Sequence, residues 1–274
     1  GGGDEKGVTR VLGGNPQTGP FFVTSAAPGD TLVVHIVRLR LNRDYAISDD
    51  AIVPQGLSGP MAVRMKDAGK TVRWHIDLAR GLASLDRPGP HTAGFSVPVR
   101  PMLGCVAVAP PPSRGEPMTN DSGSYGGNMD FNGMVEGATL YLPVFVPGAL
   151  LYLGDAHAVQ GDGELTGNAL ETSVDVEFTV DVIPGRSPPS PRVESPTRRM
   201  AMGFGGSLDV AFQSATANMA GWLADDYGLT PGEIANVLGP AAEYRVSEVA
   251  DRNAGVVLML DKALLAGLKP TAKP

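Results

Sequence analysis

Short apolar runs, each ended by glycine or proline, constrain the fold of this chain more than any other feature. The 36 glycines and 24 prolines follow no fixed period, which excludes collagen and solenoid repeats. Residues 174–182 alternate between apolar and polar side chains, as a strand with one buried face does. Similar patterns predict strands at residues 31–38, 71–78, 94–99, 104–109, 139–146, 150–159 and 174–182.

The pattern changes after residue 184. Residues 184–199 are rich in proline and predict a connector. Apolar residues then recur at helical spacing over residues 208–223, and Gly228 is typical of a helix end. A capping-box motif predicts a second helix from residue 230 towards Val249, and a last strand follows at residues 256–260.

These elements predict a mainly β fold. We expect a β-rich body at residues 1–185 and an α/β subdomain at residues 186–274, after the connector.

Charge and composition indicate which partners and which cellular compartment to expect. The formal charge of −7 argues against nucleic acid and anionic membrane as partners. The sequence shows no apolar run of about 18 residues and no signal peptide, so the expected location is the cytoplasm. The single cysteine, Cys105, cannot form an intramolecular disulfide and is interpreted as a small buried hydrophobe.

Polar side chains interrupt the predicted strands between residues 126 and 171. Asp155 and His157 are two residues apart on one strand and therefore share a face. A carboxylate and an imidazole together suit Zn²⁺ and other divalent transition metals. Unpaired acids near a core need cations, donors or protons. The five acids of this region are Asp130, Asp155, Asp162, Glu164 and Glu171.

Two simpler interpretations of these residues stay open. Asp155 and His157 could form a hydrogen bond at a strand end, and Asp162 and Glu164 could be solvated acids in a surface turn. His35 and His75 lie within strand patterns and are interpreted as packed histidines, while His91 lies in a turn. The sequence shows no Gly-x-Ser-x-Gly elbow, phosphate loop or Cys-x-x-Cys pair, so a serine triad is unsupported.

The same region is similar to the signature of the acetamidase/formamidase family. The resemblance rests on GGNMD at residues 126–130 and on TLYLPVFVPGALLYLGDAHAVQGDGELTGNALE at residues 139–171. Three further segments, residues 15–36, 104–110 and 195–204, show weaker similarity to the family and occur in the same order along the chain. The resemblance therefore covers most of the chain.

The resemblance implies a β body with barrel-like and jelly-roll-like parts. It also implies hydrolysis of short aliphatic amides, such as formamide or acetamide, to ammonia and a carboxylate, with a metal at the site and a homo-oligomeric protein. Family members usually have a further N-terminal segment, so we expect that segment to be missing here or to exist as a separate chain.

On the family-matching positions, residue chemistry suggests a role for each polar group. The ligands of a divalent metal, Zn²⁺ before Ca²⁺, would be Asp130, Asp155 and His157. Glu164 would be the general base, and Glu171 either the alternative base or the partner that orients His157. Asn128 would donate to the developing oxyanion.

Two other functions compete with this hypothesis. The chain could hydrolyse a larger amide or a lactam, which the size of the pocket would decide. It could also be a non-catalytic β module that binds Ca²⁺ through the same acids, although His157 speaks against an ion that prefers oxygen ligands.

Overall fold

The computed structural model of the chain describes residues 14–66 and 68–271 and shows a mainly β fold. The first strands are Gln17–Phe21 (β1), Thr31–Leu41 (β2), Tyr45–Asp49 (β3), Thr71–Asp77 (β4), Leu82–Leu85 (β5), Ser96–Pro98 (β6), Met102–Ala107 (β7), Ser122–Gly123 (β8) and Gly126–Asn128 (β9). The later strands are Thr139–Pro143 (β10), Leu151–His157 (β11), Glu171–Thr172 (β12), Val174–Ile183 (β13), Arg192–Glu194 (β14), Arg198–Gly205 (β15), Glu243–Glu248 (β16) and Ala254–Asp261 (β17). The helices are Gly59–Arg64 (α1), Leu208–Tyr227 (α2), Pro231–Ala241 (α3) and Lys262–Leu265 (α4), with 3-10 turns at Pro54–Gly56 and Pro112–Arg114.

The strands form two sheets. The first has the order β6-β5-β4-β3-β12-β11-β7-β9-β8, and β1 also pairs with β11. The second has the order β13-β2-β10-β14-β15-β17-β16. Neighbouring strands in both sheets are antiparallel. Antiparallel strands can be joined by hairpins or by longer loops, so the fold needs no βαβ unit.

One hydrophobic core lies between the two sheets. Leu32 and Leu140 of the second sheet pack in the same cluster as Leu103, Val106 and Leu153 of the first. Alternation explains the arrangement, because each strand turns one side towards this core and the other away from it. The polar residues of interest lie on the strands of the first sheet, where β7, β11 and β12 run side by side.

The helix α2 covers the outer face of β15 and β17, and α3 packs against α2 to close a second core. Ser207 caps α2 by accepting a hydrogen bond from the Val210 N–H, and Gly228 ends the helix in the left-handed region. Thr230 and Glu233 form the capping box of α3, as the sequence predicted. A side chain at Gly203 of β15 would lie 2.1 Å from the Ala215 N atom, so glycine permits the close approach of α2.

The predicted strands agree with the structure within a few residues, and the mainly β fold class is confirmed. The predicted second helix is wrong beyond Ala241, because residues 243–248 form β16 at the edge of the second sheet. Alternation of exposed and partly buried side chains over that segment overrides the helical pattern.

The predicted connector, residues 184–199, contains β14 and the start of β15. Asn218 of α2 fixes it, since its side-chain amide donates to the Pro191 and Met202 carbonyls, each at 3.0 Å, and accepts from Arg192 Nε at 2.9 Å.

The predicted division at residues 185 and 186 stays a prediction, although the second sheet joins strands from both sides of it. The expectation of a missing N-terminal segment lies outside the described residues. Among those that are described, no helix combines the length and the apolar character needed to cross a bilayer.

Candidate active site

Three neighbouring strands bring polar side chains to one face of the first sheet. His157 of β11 pairs with Met102 of β7 on one side and with Glu171 of β12 on the other. Directly paired residues of antiparallel strands point to the same face, so His157 and Glu171 are neighbours. Asp155 lies two residues before His157 and reaches the same face, with a positive φ of 57°.

Asp130 enters the site just after β9, the strand on the other side of β7. The backbone N–H groups of Met129 and Asp130 both donate to the Gly104 carbonyl, at 2.9 and 3.1 Å, which fixes Asp130 beside β7. Its φ is 40°, a left-handed conformation uncommon for residues other than glycine. The Asp130 side chain is fully buried.

Glu164 comes from the turn between β11 and β12. Its φ of 46° is also left-handed, and its Oε1 accepts a hydrogen bond from the Ala169 N–H at 3.1 Å. The residue is buried, and strained backbone at a buried acid is a feature that active sites share.

The ligand atoms of these residues converge. One potential ligand atom each from Asp130, Asp155 and His157 lie within 4.8 Å of one another, and the same holds for His157, Glu164 and Glu171. Gly104 forms the floor of the first group. A Cβ atom there would lie 2.4 Å from both Asp130 Oδ1 and Asp155 Oδ2, and 3.0 Å from His157 Cε1. Only a residue without a side chain leaves these atoms where they are.

Gln160 sets the tautomer of His157. Its side-chain amide nitrogen donates to the Asp130 carbonyl and to the Ser247 carbonyl, so its Oε1 faces His157 Nδ1 at 2.9 Å. An amide oxygen can only accept, so Nδ1 carries the proton and donates. The other ring nitrogen, Nε2, is then available to hold a metal ion or a second proton.

The surroundings of His157 Nε2 favour a cation. Glu171 Oε1 lies 3.0 Å away and Asp155 Oδ2 3.6 Å away. Asp130 Oδ1 has no hydrogen-bond partner among the described residues. A neutral nitrogen lone pair facing two carboxylates is unfavourable unless a proton or a metal ion lies between them.

Burial and mutual repulsion shift the pKa values in this cluster. Burial raises the pKa of Glu164 to about 7, with Glu171 and Asp155 adding to the rise and His157 opposing it. Burial, Glu164 and Asp155 also raise the pKa of Asp130 well above its ordinary value. Burial lowers the pKa of His157, but the adjacent carboxylates of Asp155 and Glu171 outweigh it and the net pKa rises. The carboxylates of the cluster would therefore carry more negative charge than a protonated His157 can neutralise.

Two further acids border the cluster and were not found from the sequence. Glu248 of β16 is fully buried, and burial is the main reason that its pKa rises to about 8. An isolated bridge between Gly163 and Glu248 brings it beside Glu164. Asp251 accepts a hydrogen bond from Asn128 Nδ2 at 2.7 Å. The alternation of residues 243–248 is a sequence signal for a strand that could have located Glu248.

Asn128 holds acids in place in this structure. Its side-chain amide donates to Asp130 as well as to Asp251, and its Oδ1 accepts from Asn15 at 2.6 Å. Both amide hydrogens are thus engaged by carboxylates. The predicted donation to an oxyanion stays a prediction that would require one of these bonds to break.

Other residues considered from the sequence lie elsewhere. Asp162 points outward, where it accepts a hydrogen bond from Asn132 and pairs with Arg245. Cys105 is buried, and burial raises the pKa of its thiol, as expected for an inert cysteine. His35 Nδ1 shares a hydrogen bond with Thr139 Oγ1. The interpretation of His75 as a packed histidine is wrong, because it is exposed on β4, and His91 is exposed as well.

Comparison with known proteins gives consistent matches. The model of the Acetamidase/Formamidase family matches residues 107–198, which include most of the polar cluster. A crystal structure of an acetamidase from Bacillus halodurans superposes with a TM-score of 0.80 at 31% identity, and the match covers 93% of this chain and 81% of that one.

Two curated relatives align less completely or less closely. The acetamidase of Mycolicibacterium smegmatis is 43% identical over 61 residues, which is 22% of this chain and only 15% of the relative. The formamidase of Methylophilus methylotrophus is 24% identical over 85% of this chain and 72% of its own length. The coverage of the Bacillus structure, together with the family match over the polar cluster, shows that this chain belongs to the acetamidase/formamidase family of amidohydrolases.

Proposed function

We propose that this protein hydrolyses short aliphatic amides, such as formamide or acetamide, to ammonia and a carboxylate with the help of a divalent metal. The observation that carries the proposal is the convergence of Asp130, Asp155 and His157 over Gly104, next to Glu164 and Glu171. Family membership supports the amide as substrate, and the donor set supports the metal.

The residues present fit a divalent transition metal. Asp130 Oδ1 lacks a hydrogen-bond partner within the described part of the chain although it is fully buried, and the buried His157 Nε2 faces the carboxylates of Glu171 and Asp155. Mixed oxygen and nitrogen donors suit Zn²⁺, and the imidazole makes Ca²⁺ the weaker choice. Asp130, Asp155 and His157 would hold the ion, which when bound would polarise the amide carbonyl and lower the pKa of a water molecule.

Glu164 is the proposed general base. A pKa of about 7 lets its carboxyl group accept and return a proton near neutral pH. Glu164 would take a proton from the attacking water and pass it to the leaving nitrogen, so that ammonia and a carboxylate are formed. Its hydrogen bond from Ala169 keeps one oxygen engaged and leaves the other for this transfer.

Glu171 contacts His157, as one of the two functions suggested from the sequence requires, but it does so at Nε2, with Oε1 3.0 Å from that atom. Gln160 orients His157 through Nδ1, so Glu171 is not required for that task. Glu171 instead lies beside Nε2 and is the alternative base or an additional metal ligand. A substitution of Glu171 would lower the metal content if Glu171 is a ligand and would leave it unchanged if Glu171 is a base, so metal analysis distinguishes the two functions.

Ammonia release from formamide and acetamide by the purified protein tests the proposal. We expect activity that is lost to a chelator and restored by Zn²⁺. Asp130→Asn should lose both metal and activity. The matched control is Asp162→Asn, an acid of the same segment that lies at the surface and outside the cluster.

Each alternative has its own outcome in this experiment. Hydrolysis of larger amides or lactams, without release from formamide or acetamide, would favour the second substrate class. Binding of Ca²⁺ alone, with no hydrolysis, would favour the non-catalytic module. The homo-oligomer implied by the resemblance stays a prediction that sedimentation velocity would test.

A further inference from the structure

Asp251 lies at the edge of the polar cluster and has no part in the hydrolysis as proposed so far. It belongs to the turn between β16 and β17 and is partly buried. Asn128 Nδ2 donates to Asp251 Oδ2 at 2.7 Å and to Asp130 Oδ2 at 2.5 Å. Both bonds start at one nitrogen atom, so the two carboxylate oxygens cannot be further apart than these two distances together.

The turn that carries Asp251 is anchored on both sides. Glu248 Oε2 accepts a hydrogen bond from the Asp251 N–H at 3.1 Å. Asn253 Nδ2 donates to Asp121 Oδ1 and to the Ser122 carbonyl, each at 2.7 Å. These bonds hold the Asp251 carboxylate in one position beside the cluster, as the binding of a small molecule requires.

One oxygen of Asp251 is available for a further hydrogen bond. Asn128 occupies Oδ2, whereas Oδ1 accepts no hydrogen bond from the described residues. The groups of converging metal-ligand atoms found in the described part of the chain do not include Asp251. Asp251 is therefore suited to accept a hydrogen bond from a molecule in the site rather than to hold the metal ion.

A primary amide brings donors as well as an acceptor into the site. Its carbonyl oxygen matches the metal ion proposed for the cluster, but its NH2 group carries two N–H donors. A donor that is buried without a partner costs free energy, so a site for amides has to provide an acceptor. The other carboxylates of the site serve as proposed metal ligands, as the base or as the neighbour of His157 Nε2, and Asp251 Oδ1 remains.

The distances suit a short amide. Carbon–nitrogen and carbon–oxygen bonds of about 1.33 and 1.23 Å place the two heteroatoms of an amide about 2.3 Å apart. With a hydrogen bond of about 2.9 Å, the span from the acceptor to the amide oxygen is about 5 Å. The two bonds of Asn128 allow a similar separation between Asp251 and Asp130. A single small amide can therefore contact Asp251 with its nitrogen while its carbonyl group lies in the cluster.

We propose that Asp251 is a specificity-determining residue that accepts a hydrogen bond from the amide NH2 group and thereby distinguishes the amide substrate from its carboxylate product. The inference rests on the proposed function. Acetamide and acetate have nearly the same shape, but acetate presents an oxygen where acetamide presents an N–H donor. An ionised Asp251 attracts the donor and repels the oxygen, so it orients the amide and favours release of the product.

The test compares acetamide and acetate in Asp251→Asn. This variant keeps the shape of the side chain and still offers Asn128 an oxygen atom, but its other atom becomes an NH2 group that donates instead of accepting. We expect kcat/KM for acetamide to fall about 10–100-fold, because hydrogen bonds to charged groups are among the strongest in proteins. The inhibition constant of acetate should fall about tenfold, since the repulsion is replaced by a hydrogen bond. Titration calorimetry of acetate measures the second effect independently of turnover.

Two further variants separate this contact from other effects. Asp162→Asn is the matched control, because it removes one negative charge from an acid at the surface and outside the cluster, and it should leave both constants unchanged. Asp251→Glu keeps the charge at the site, so acetate should still bind weakly even where the longer side chain lowers kcat/KM for acetamide.

Three results would overturn the inference. Weaker binding of acetate together with slower hydrolysis of acetamide in Asp251→Asn would show a general disturbance of the site. Unchanged constants for both molecules would show that Asp251 does not contact the amide. Absence of hydrolysis of every short amide by the unaltered protein would remove the proposed function and this inference together, whereas an active protein with unchanged constants in Asp251→Asn removes the inference alone.

Discussion

Replacing Gly104 with alanine is the sharpest perturbation that the structure offers. The new Cβ atom would lie 2.4 Å from Asp130 Oδ1 and from Asp155 Oδ2. Contacts under 3.0 Å are essentially never observed, so each of these two contacts must lengthen by at least 3.0 − 2.4 = 0.6 Å. The shift falls on two proposed metal ligands at once.

We expect a large functional effect and a moderate effect on stability. A displacement of about 1 Å at a catalytic site can lower the rate about 10²-fold. We therefore expect kcat/KM for formamide to fall about 10²-fold or more in Gly104→Ala, with loss of bound metal. Added bulk in a packed interior typically lowers the free energy of unfolding by about 1–3 kcal/mol.

Amidase assays, metal analysis and thermal unfolding of the purified variant measure these effects. Gly232→Ala is the control, because its new Cβ would meet nothing within 4 Å and the glycine lies in α3, away from the cluster. The reasoning is refuted if Gly104→Ala binds as much metal and hydrolyses formamide as fast as Gly232→Ala.

Three further predictions concern neighbouring residues. Glu164→Gln should lower kcat by about 10²–10⁴-fold while metal content stays unchanged; full activity would remove Glu164 from the mechanism and point to Glu171. Gln160→Leu deprives His157 Nδ1 of its acceptor and should weaken Zn²⁺ binding about 10–100-fold in a competition titration, so an unchanged affinity would contradict the assigned tautomer. The pKa of Glu248 rises from 4.5 to about 8 on folding, so its stabilisation of the metal-free protein is complete below about pH 4.5 and is lost as the pH rises through about 8. Glu248→Gln stays uncharged, and its melting temperature should fall less than that of the unaltered protein between pH 6 and 9; equal slopes would show that Glu248 does not carry this effect.

Local patterns predicted most of the elements correctly. The alternation at residues 174–182 became β13, the helical spacing at residues 208–223 became α2, and the capping box at Thr230 begins α3. Alternation and capping depend on side chains within a few residues of one another, so the sequence displays them directly. The segments that failed are residues 192–199 and 243–248. Residues 192–194 pair with β10, far earlier in the chain, whereas residues 243–248 form an edge strand against β17, the next strand of the chain.

The site was only partly predictable, because some of its residues lie far apart in the sequence. Asp130, Asp155, His157, Glu164 and Glu171 lie within 42 residues of sequence, and their grouping was visible as acids beside apolar strands. Gly104 was interpreted only as part of a strand, because its function as the floor of the cluster depends on the pairing of β7 with β11 and β9. Glu248 reaches the cluster only through a bridge to Gly163, 85 residues earlier (248 − 163).

The sequence by itself determined the strand-rich class, the glycine that ends α2, the capping box of α3, the acidic segment and the family. Only the tertiary structure decided that Gln160 orients His157, that Glu248 borders the cluster and that Asn128 joins Asp251 to Asp130. The physical reason is that strand register fixes which distant side chains meet. Register is set by the packing of the whole core, since a shift of one residue would turn each side chain to the opposite face.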